Sequence, residues 1–252
     1  MAPTAIPRRL NWRLADVTGL VDQTSRIRTI ELDAPDWPGH LPGQHIDVRL
    51  TADDGYQAQR SYSIATPADG SRLAITVERI EDGEVSQYLA GELQLGDKLE
   101  LRGPIGGYFV WEPSRGGPLL LAAGGSGIVP LMAMLRDRVA MRSWVSVRLL
   151  VSSRSWDDVI YRPELEGIGR EEMGIEIIHA LTRSQPPDWP GYDRRVDREM
   201  LAEVAWAPTD RPLCYVCGPT GFVETVASAL VALGHDPEMI RTERFGPTGG
   251  PP

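Results

Sequence analysis

The stretch Arg60-Ser61-Tyr62-Ser63 combines side chains that could together hold a molecule with a phosphate at one end and a flat ring at the other. On a β-strand, alternation places Arg60 and Tyr62 on one face and the two serines on the other. A guanidinium binds phosphate oxygens as a fork, and a tyrosine ring is a rigid stacking surface. The same residues also fit an ordinary exposed strand end, so they need support from the rest of the chain.

The glycine-rich turn Gly124-Gly-Ser-Gly-Ile-Val-Pro130 is a second candidate site, between an apolar run and a segment with helical spacing. Glycines let a diphosphate approach the main chain, and the amides at a helix start donate hydrogen bonds to it. The spacing is not the Gly-x-Gly-x-x-Gly of dinucleotide folds. A purely structural turn fits as well, but a position after the first parallel strand of a sheet favours a phosphate or dinucleotide site.

Two cysteines, Cys214 and Cys217, form a Cys-x-x-Cys pattern that could indicate redox or zinc chemistry. Their apolar, strand-like setting and the lack of a second cysteine pair argue against both, and two thiolates cannot ligate a plant-type iron–sulfur cluster. The four histidines have no ligand spacing, so no metal site is predicted. Two positions for Cys217 stay open. It could be a buried core residue, or, because Cys217-Gly218-Pro219 ends a strand at the same edge of the sheet, it could face the crevice beside the glycine turn.

Short alternating segments separated by Gly- and Pro-containing turns occupy the first part of the chain and predict an antiparallel β-barrel or sandwich. The predicted strands are Arg13–Gly19, Arg26–Leu32, His45–Leu50, Gln59–Ala65, Leu73–Arg79 and Lys98–Arg102. One short helix is predicted over Ser86–Ala90, with Ser86 as N-cap and Gly91 as its stop.

After the predicted linker Glu112–Pro118, apolar runs alternate with helical patterns, which predicts a doubly wound parallel five-stranded sheet. The predicted strands are Leu119–Ala123, Val145–Val151, Ile175–Ala180, Leu213–Cys217 and Met239–Thr242, and the predicted helices are Val129–Met141, Asp157–Glu166, Asp197–Ala205 and Thr220–Leu233. We therefore predict two domains, a six-stranded Greek-key β-barrel over residues 1–113 and an α/β domain over residues 114–252.

The composition excludes several classes of protein. The chain has 252 residues, 42% hydrophobic and 24% charged, which is typical of globular proteins. Its formal net charge of −9 is spread over both halves, and no basic stripe indicates nucleic-acid binding. No signal peptide or long apolar run is visible, so we expect a cytoplasmic protein without a membrane segment. We also expect a monomer.

The motifs, taken together and in order, resemble those of the ferredoxin–NADP⁺ reductase superfamily, especially the flavin and nicotinamide modules of flavohaemoglobins and oxygenase reductases. Six motifs carry the resemblance along nearly the whole chain. They are Arg60-Ser-Tyr-Ser63, Gly83-Glu-Val-Ser86, Gly103-Pro-Ile-Gly106, Gly125-Ser-Gly-Ile-Val-Pro130, Cys217-Gly-Pro219 and Glu243-Arg-Phe-Gly-Pro247.

The resemblance implies a FAD site built on the barrel. Arg60 would bind the FAD diphosphate, Tyr62 would stack on one face of the flavin ring, and Ser63 would hydrogen-bond near flavin N5, with Ser61 in the same stretch. Donors at the start of the short helix would bind the diphosphate, and these residues are Gly83, Val85 and Ser86.

The resemblance also implies a nicotinamide site at the sheet edge. The turn would line the NADP diphosphate and Cys217 would lie beside the nicotinamide. The residues concerned are Gly125, Ser126, Gly127, Pro130, Cys217, Gly218 and Pro219. Glu243 and Phe245 match the acid-x-aromatic ending of the family, in which the aromatic ring covers the second flavin face. Ser63, Cys217, Glu243 and Phe245 are therefore the residues implied in catalysis.

Arginines bear on the choice of nicotinamide. Arg154 follows the second parallel strand and Arg183, in Leu181-Thr-Arg183, follows the third, where relatives that use NADP place a Ser/Thr-Arg pair on the 2′-phosphate. Arg194 and Arg195 lie nearby. Because 25 of the 26 basic residues are arginine, some of these side chains could be plain surface charges. The pattern favours NADPH, with NADH as an alternative.

The activity implied is that of a FAD-dependent NAD(P)H oxidoreductase, which takes hydride from the nicotinamide and passes single electrons to a separate ferredoxin or oxygenase component. We see no globin or iron–sulfur domain in the sequence that could serve as an internal acceptor. Two alternatives stay open: a reductase of free flavins or quinones, and a non-catalytic flavin-binding subunit. The intact glycine turn and Cys217-Gly-Pro219 argue against the second.

Overall fold

Within residues 10–245, which the computed structural model describes, the strands form one antiparallel and one parallel sheet. The strands of the antiparallel sheet are β1 (Trp12–Thr24), β2 (Ile27–Asp33), β3 (His45–Thr51), β4 (Gln57–Ser63), β5 (Arg72–Glu78) and β6 (Lys98–Ile105). Their spatial order is β4-β3-β6-β1-β2-β5. Every strand predicted in this region exists, with ends that differ by a few residues.

The two outer strands of this sheet meet and close it into a barrel. Ile64 pairs with Ile75, and the Ala65 amide donates to the Ala74 carbonyl at 2.7 Å. Alternation along β5 sends Leu73, Ile75 and Val77 into the barrel core, where each is at most 2% exposed. The predicted six-stranded antiparallel barrel is confirmed.

The short helix begins earlier than predicted. Helix α1 (Glu84–Gln87) has Gly83 as its N-cap residue and continues into a π-helical turn, Tyr88–Glu92, that contains Gly91. The predictions of Ser86 as N-cap and Gly91 as stop are wrong. The extended backbone of Gly83 already starts the helix, and the Ser86 hydroxyl reaches back from the first turn to donate to the Gly83 carbonyl at 3.0 Å.

The parallel sheet follows the connection that leads out of the barrel. Its strands are β7 (Leu119–Gly124), β8 (Val147–Ser153), β9 (Ile175–Leu181), β10 (Leu213–Pro219) and β11 (Ile240–Phe245), and its helices are α2 (Ile128–Ala140), α3 (Arg162–Glu171), α4 (Arg198–Val204) and α5 (Thr220–Ala232). The order β11-β10-β7-β8-β9 confirms the predicted doubly wound sheet, whose direction of winding changes between β7 and β10. The boundary at residues 113 and 114 stays a prediction.

One helix prediction, Asp157–Glu166, is wrong at its start. A 3-10 turn occupies Trp156–Asp158, and Tyr161 adopts a left-handed backbone with φ of 59°. The helix α3 therefore begins at Arg162, with Pro163 in its first turn, where the missing amide of proline has no helical partner to lose. The apolar spacing of the segment gives no sign of this break.

A charged residue of α2 connects the two domains. The Arg136 guanidinium donates to the barrel carbonyl of Ala65 at 2.6 Å, to both oxygens of Glu164 on α3, and lies 4.7 Å above the Tyr161 ring. The Tyr161 hydroxyl in turn lies 2.5 Å from the Thr76 hydroxyl on β5. This network, with the shared apolar cluster beneath it, fixes the barrel against the α/β domain.

Replacing Arg136 with methionine should lower the free energy of unfolding by about 2–3 kcal/mol, because charge-assisted hydrogen bonds of a half-buried group are lost. Arg148→Met is a matched control, since Arg148 bonds Glu176 and two carbonyls and stacks on Trp206 within the α/β domain alone. Proteolysis in the connection 106–118 should accelerate in the first variant only. Equal cleavage of both variants would contradict an inter-domain role.

Two classes of structure are absent from the described chain. No helix between residues 10 and 245 has the length and apolar character needed to cross a bilayer. Over the same residues, no three or more His, Cys, Asp or Glu side chains are arranged to hold a metal ion. The prediction that the N-terminal start, Met1–Arg9, carries no signal peptide falls outside the described residues.

Candidate active site

Arg60 and Tyr62 lie two residues apart on one face of β4, the face that they share with their register partners Val48 and Ile46 of the barrel core. Arg60 is exposed, and its guanidinium donates only to the adjacent Gln59 carbonyl at 2.7 Å among the contacts of the described chain. Tyr62 is half-buried against the barrel core, and this burial raises the pKa of its phenol to about 12. The strand therefore offers a cation without a carboxylate partner beside a neutral, partly buried ring.

The two serines of the motif lie on the other face, as alternation predicts. The Ser61 hydroxyl donates to Asp47 on β3 at 2.6 Å, and Asp47 also pairs with Arg102 at 2.6 Å. The Ser61 side chain is thus engaged away from Arg60 and Tyr62. Ser63 is buried at the end of β4, opposite His45. Their predicted contributions to a cofactor site stay predictions.

The start of α1 holds three further predicted residues. Gly83 caps the helix, Val85 is 1% exposed, and the Ser86 hydroxyl accepts from the Ile80 amide at 3.2 Å while donating to the Gly83 carbonyl. The single hydroxyl hydrogen of Ser86 is therefore occupied, and only a rotation would turn it toward a ligand. The main-chain amides of this turn are the donors it offers to an anion.

The glycine turn and the end of β10 lie in direct backbone contact. A Cβ atom placed on Gly127 would stand 2.1 Å from the Cys217 carbonyl oxygen, and one on Gly218 would stand 3.0 Å from Gly124 atoms. Gly125 has a φ of +54°, with open space where a side chain would be. Only glycine permits this approach. The two turns form one open rim at the point where the winding of the sheet changes direction.

The turn also touches the barrel. The Ser126 hydroxyl donates to Glu78, at the end of β5, at 2.9 Å. Pro130 is buried in the first turn of α2, where its missing amide leaves no bond unmade. Sequence reasoning missed Glu78, because nothing in its spacing indicates a partner in the other domain.

The two cysteines lie on opposite faces of β10, each in a different apolar cluster. Burial raises the pKa of the Cys214 thiol to about 12. Cys217 is fully buried on the face toward α2 and the barrel, and burial, with Glu243 beside it, raises the pKa of its thiol well above its usual value. Cys217 is thus a neutral thiol under the rim of the glycine turn.

Glu243 and Phe245 lie on the face of β11 that carries Cys217 on the neighbouring strand. Glu243 is the register partner of Cys217, and Phe245 is the partner of Pro219. The Glu243 Oε2 atom is buried without a hydrogen-bond partner among the described residues, and burial raises the pKa of its carboxyl to about 7. Phe245 is half-buried against the cluster that contains Cys217. The Gly246 and Pro247 of the same motif lie outside the described residues.

Glu243 should make the protein less stable as the pH rises, whereas an ion-paired acid makes a protein more stable as the pH rises. Its folded pKa, about 7, lies above the ordinary value of 4.5, so the folded state binds more protons in that interval and stability falls as pH rises from about 4.5 to 7. Glu243→Gln should therefore be more stable than the wild type near pH 8, by on the order of 3 kcal/mol at most, and equally stable near pH 4.5.

Thermal melts of the two proteins across this pH range measure the difference. Four histidines, whose pKa values are lowered by burial, also make stability depend on pH, and they are His40, His45, His179 and His235. Because they titrate in both proteins, their contribution cancels when the stability of the wild type is subtracted from that of Glu243→Gln. A constant difference between wild type and Glu243→Gln at all pH values would contradict the assignment.

Arg154 and Arg183 are brought together at the ends of β8 and β9. The Arg183 amide donates to the Arg154 carbonyl at 2.8 Å, and both side chains are exposed without an ion pair among the described residues. Arg194 differs, because its guanidinium binds Asp197, the N-cap of α4, at 2.8 Å. Two free guanidinium groups therefore stand at the same sheet edge as the glycine turn.

An aromatic cluster beside these arginines also escaped sequence reasoning. Trp156, His179 and Trp189 pack with ring centroids 5.1–6.2 Å apart. Burial lowers the pKa of His179 to about 4, so its imidazole is neutral. The nearness of Trp156 to Arg154 in sequence is the one signal that could have found the cluster.

Comparison with known proteins gives a family for both sheets. Residues 13–110 match an oxidoreductase FAD-binding domain and residues 121–228 match an oxidoreductase NAD-binding domain. The ferredoxin–NADP reductase B of Sorangium cellulosum is 32% identical over 227 residues, which cover 87% of this chain and 91% of the relative. The glycine betaine monooxygenase reductase subunit of Chromohalobacter salexigens is 31% identical over 234 residues, 91% of this chain and 63% of that subunit.

A solved structure agrees with the observed architecture. The flavohaem-like FAD/NAD-binding domain of a nitric oxide dioxygenase from Vibrio cholerae superposes with a TM-score of 0.82 at 26% identity, over 93% of this chain and 99% of that domain. This chain spans 51% to 63% of the length of the first curated relatives it matches. With an antiparallel FAD-binding barrel and a parallel NAD-binding sheet, the chain belongs to the ferredoxin–NADP⁺ reductase superfamily.

Proposed function

We propose that this protein oxidises NADPH, with NADH as a weaker donor, and passes the electrons singly through FAD to a separate protein acceptor. The observation that carries the proposal is the backbone contact between Gly127 and Cys217, which joins the glycine turn to the end of β10 at the point where the winding of the sheet reverses. Ligands of open α/β sheets bind at such points, outside the carboxyl ends of the strands.

The residues present fit FAD. Arg60 has no carboxylate partner among the described residues and would bind the diphosphate, with main-chain amides at the start of α1 as further donors. Tyr62 and Phe245, both half-buried, would contact the two faces of the flavin ring. The chemistry that FAD supplies when bound is acceptance of hydride from a nicotinamide and release of single electrons.

The role of the protein in this reaction is positioning. The open space beside Gly125 would let a diphosphate approach the glycine turn, and Cys217 and Glu243 lie next to each other on the strands beside this turn. The Cys217 thiol stays neutral because burial holds its pKa high, so it contributes shape rather than charge. Glu243 changes its charge near neutral pH and can hold or release a proton at a buried oxygen.

Two observations support the finer parts of the proposal. Arg154 and Arg183, which make no ion pair among the described residues, are suited to the 2′-phosphate that only NADPH carries, which favours NADPH as donor. The names of the relatives, a ferredoxin–NADP reductase and the reductase subunit of a monooxygenase, support a ferredoxin or an oxygenase component as acceptor.

The visible spectrum of the purified protein tests the proposal. Anaerobic NADPH should bleach the flavin absorbance rapidly, NADH more slowly, and a ferredoxin should then restore it without loss of FAD from the protein. Restoration by free FMN or quinone but not by ferredoxin would identify a reductase of small acceptors instead. A flavin that neither nicotinamide bleaches would overturn the proposal and indicate a binding subunit.

A further inference from the structure

A cavity of about 450 Å³ opens at the mouth of the barrel, where the β1–β2 turn meets the end of β5. Its wall contains three arginines, Arg26, Arg28 and Arg79, and one carboxylate, that of Asp22. Its volume lies within the range of about 300–1,000 Å³ that is typical of ligand sites. None of the residues assigned above to FAD or nicotinamide lines it.

Strand pairing explains why the arginines converge. The Arg79 amide donates to the Arg26 carbonyl at 2.8 Å, which extends the β2–β5 ladder by one pair and sets these two residues opposite each other. Arg28 lies two residues beyond Arg26 and therefore on the same face. This face is the inner one, because Val77, the partner of Arg28, packs in the barrel core. The three guanidinium groups thus cap the barrel interior.

The charge of this cluster is not balanced within the described chain. The Arg28 guanidinium donates to Asp22 at 2.7 Å, but the Arg26 guanidinium donates only to the main-chain carbonyl of Arg79, and neither Arg26 nor Arg79 has a carboxylate partner between residues 10 and 245. Like charges directly opposite in a sheet are destabilising. The wall carries three positive charges and one negative, a net +2, in a protein whose overall charge is −9.

We propose that this cavity binds a compact polyanion carrying phosphate groups, of which inorganic pyrophosphate is the simplest example. Forked guanidinium groups match phosphate oxygens, and two of them facing each other can bind two phosphates of one ligand. Gly91, in the turn after α1, has no side chain and leaves the entrance open.

The polyanion site is separate from the proposed flavin site. The FAD diphosphate is assigned to the start of α1, at Gly83, whereas the cavity lies beyond the other end of that helical segment, at Ala90 and Gly91. FAD-loaded protein should therefore bind pyrophosphate without releasing its flavin.

Calorimetric titration of inorganic pyrophosphate into FAD-loaded protein at low ionic strength tests the proposal. With the proposed nicotinamide site filled by saturating NADP⁺, the wild type should bind one equivalent, and Arg26→Gln/Arg79→Gln should bind at least about tenfold more weakly. The matched control, Arg72→Gln/Arg170→Gln, removes the same charge from two exposed arginines outside the cavity and should bind as the wild type does. Asp22→Asn removes the carboxylate and should tighten binding about two- to fivefold, which misfolding could not produce.

Several outcomes would overturn the proposal. Equal weakening in both double variants would mean that general charge attraction, not this site, binds the anion. Affinity unchanged by Arg26→Gln/Arg79→Gln, or unchanged by Asp22→Asn, would place the anion elsewhere. Binding that occurs only after FAD is removed would mean that the cavity belongs to the flavin site. Flavin absorbance and melting temperature, recorded for each variant, establish that the comparisons are made on folded, FAD-loaded protein.

Discussion

Replacing Arg60 with alanine should weaken FAD binding by about 10–150-fold, because a charge-assisted hydrogen bond to a phosphate contributes roughly 1.5–3 kcal/mol. The guanidinium is exposed and bonds only a neighbouring carbonyl, so its removal breaks no ion pair within the described chain. The variant should fold normally but purify largely colourless, and it should regain its flavin spectrum only with excess FAD. Dialysis followed by absorbance gives the flavin content directly.

Arg72→Ala is the matched control for this experiment. Arg72 is also an exposed arginine on the barrel, at the start of β5 and away from Tyr62, so its loss should leave flavin content unchanged. Equal melting temperatures of the flavin-free proteins would show that the barrel is intact. An Arg60→Ala protein that keeps a full complement of flavin through dialysis would remove Arg60 from the FAD site.

Replacing Arg183 with alanine should raise the apparent dissociation constant of NADPH by about 10–150-fold and leave the dissociation constant of NADH nearly unchanged. The reason is that the two nicotinamides differ only in the 2′-phosphate. Arg183 is exposed, without an ion pair in the described chain, and its amide is held at 2.8 Å from the Arg154 carbonyl. The main chain therefore positions the side chain whatever its identity, and the alanine variant should keep the local fold. Stopped-flow reduction with each nicotinamide measures the effect.

Arg195→Ala provides the control, since Arg195 is exposed and is one of the nearby arginines that the sequence alone does not separate from Arg183. It should change neither constant. A loss shared equally by NADPH and NADH in Arg183→Ala would mean that Arg183 supports the fold. A wild type that prefers NADH would show that neither free arginine binds a 2′-phosphate.

The kind and order of the helices and strands follow from local sequence patterns. The alternating pattern of β5 and the unbroken apolar run of β7 predict a barrel strand and a buried parallel strand, and both exist. These are local properties, because the periodicity of side chains along a strand follows from the backbone and not from distant contacts. The location of the glycine turn could also be predicted, because a turn that follows the first parallel strand lies at the carboxyl edge of the sheet. The burial of both faces of β5, from Leu73 to Val77, is not part of the prediction, because it arises from packing against the α/β domain.

Which side chains remain available for a ligand depends on the tertiary structure. Ser61 belongs to the most informative motif, yet Asp47 of the neighbouring strand binds its hydroxyl, while Arg60 beside it has no carboxylate partner between residues 10 and 245. The donation from Ser126 to Glu78 likewise joins two domains whose sequences show no sign of each other. Hydrogen-bond partners of this kind depend on strand register and domain packing, which local sequence patterns do not encode.

The same reason applies to the charges that matter most. Arg26 and Arg79 are unremarkable in a sequence rich in arginine, and only the pairing of β2 with β5 places them opposite each other at the mouth of the barrel. Glu243 is one acid among 35 acidic residues, and only its burial on β11, beside Cys217, moves its pKa to about 7 and leaves one of its oxygens without a partner among the described residues. Residue type sets the charge that a side chain can carry, but desolvation and neighbouring charges, which arise on folding, set the state it adopts.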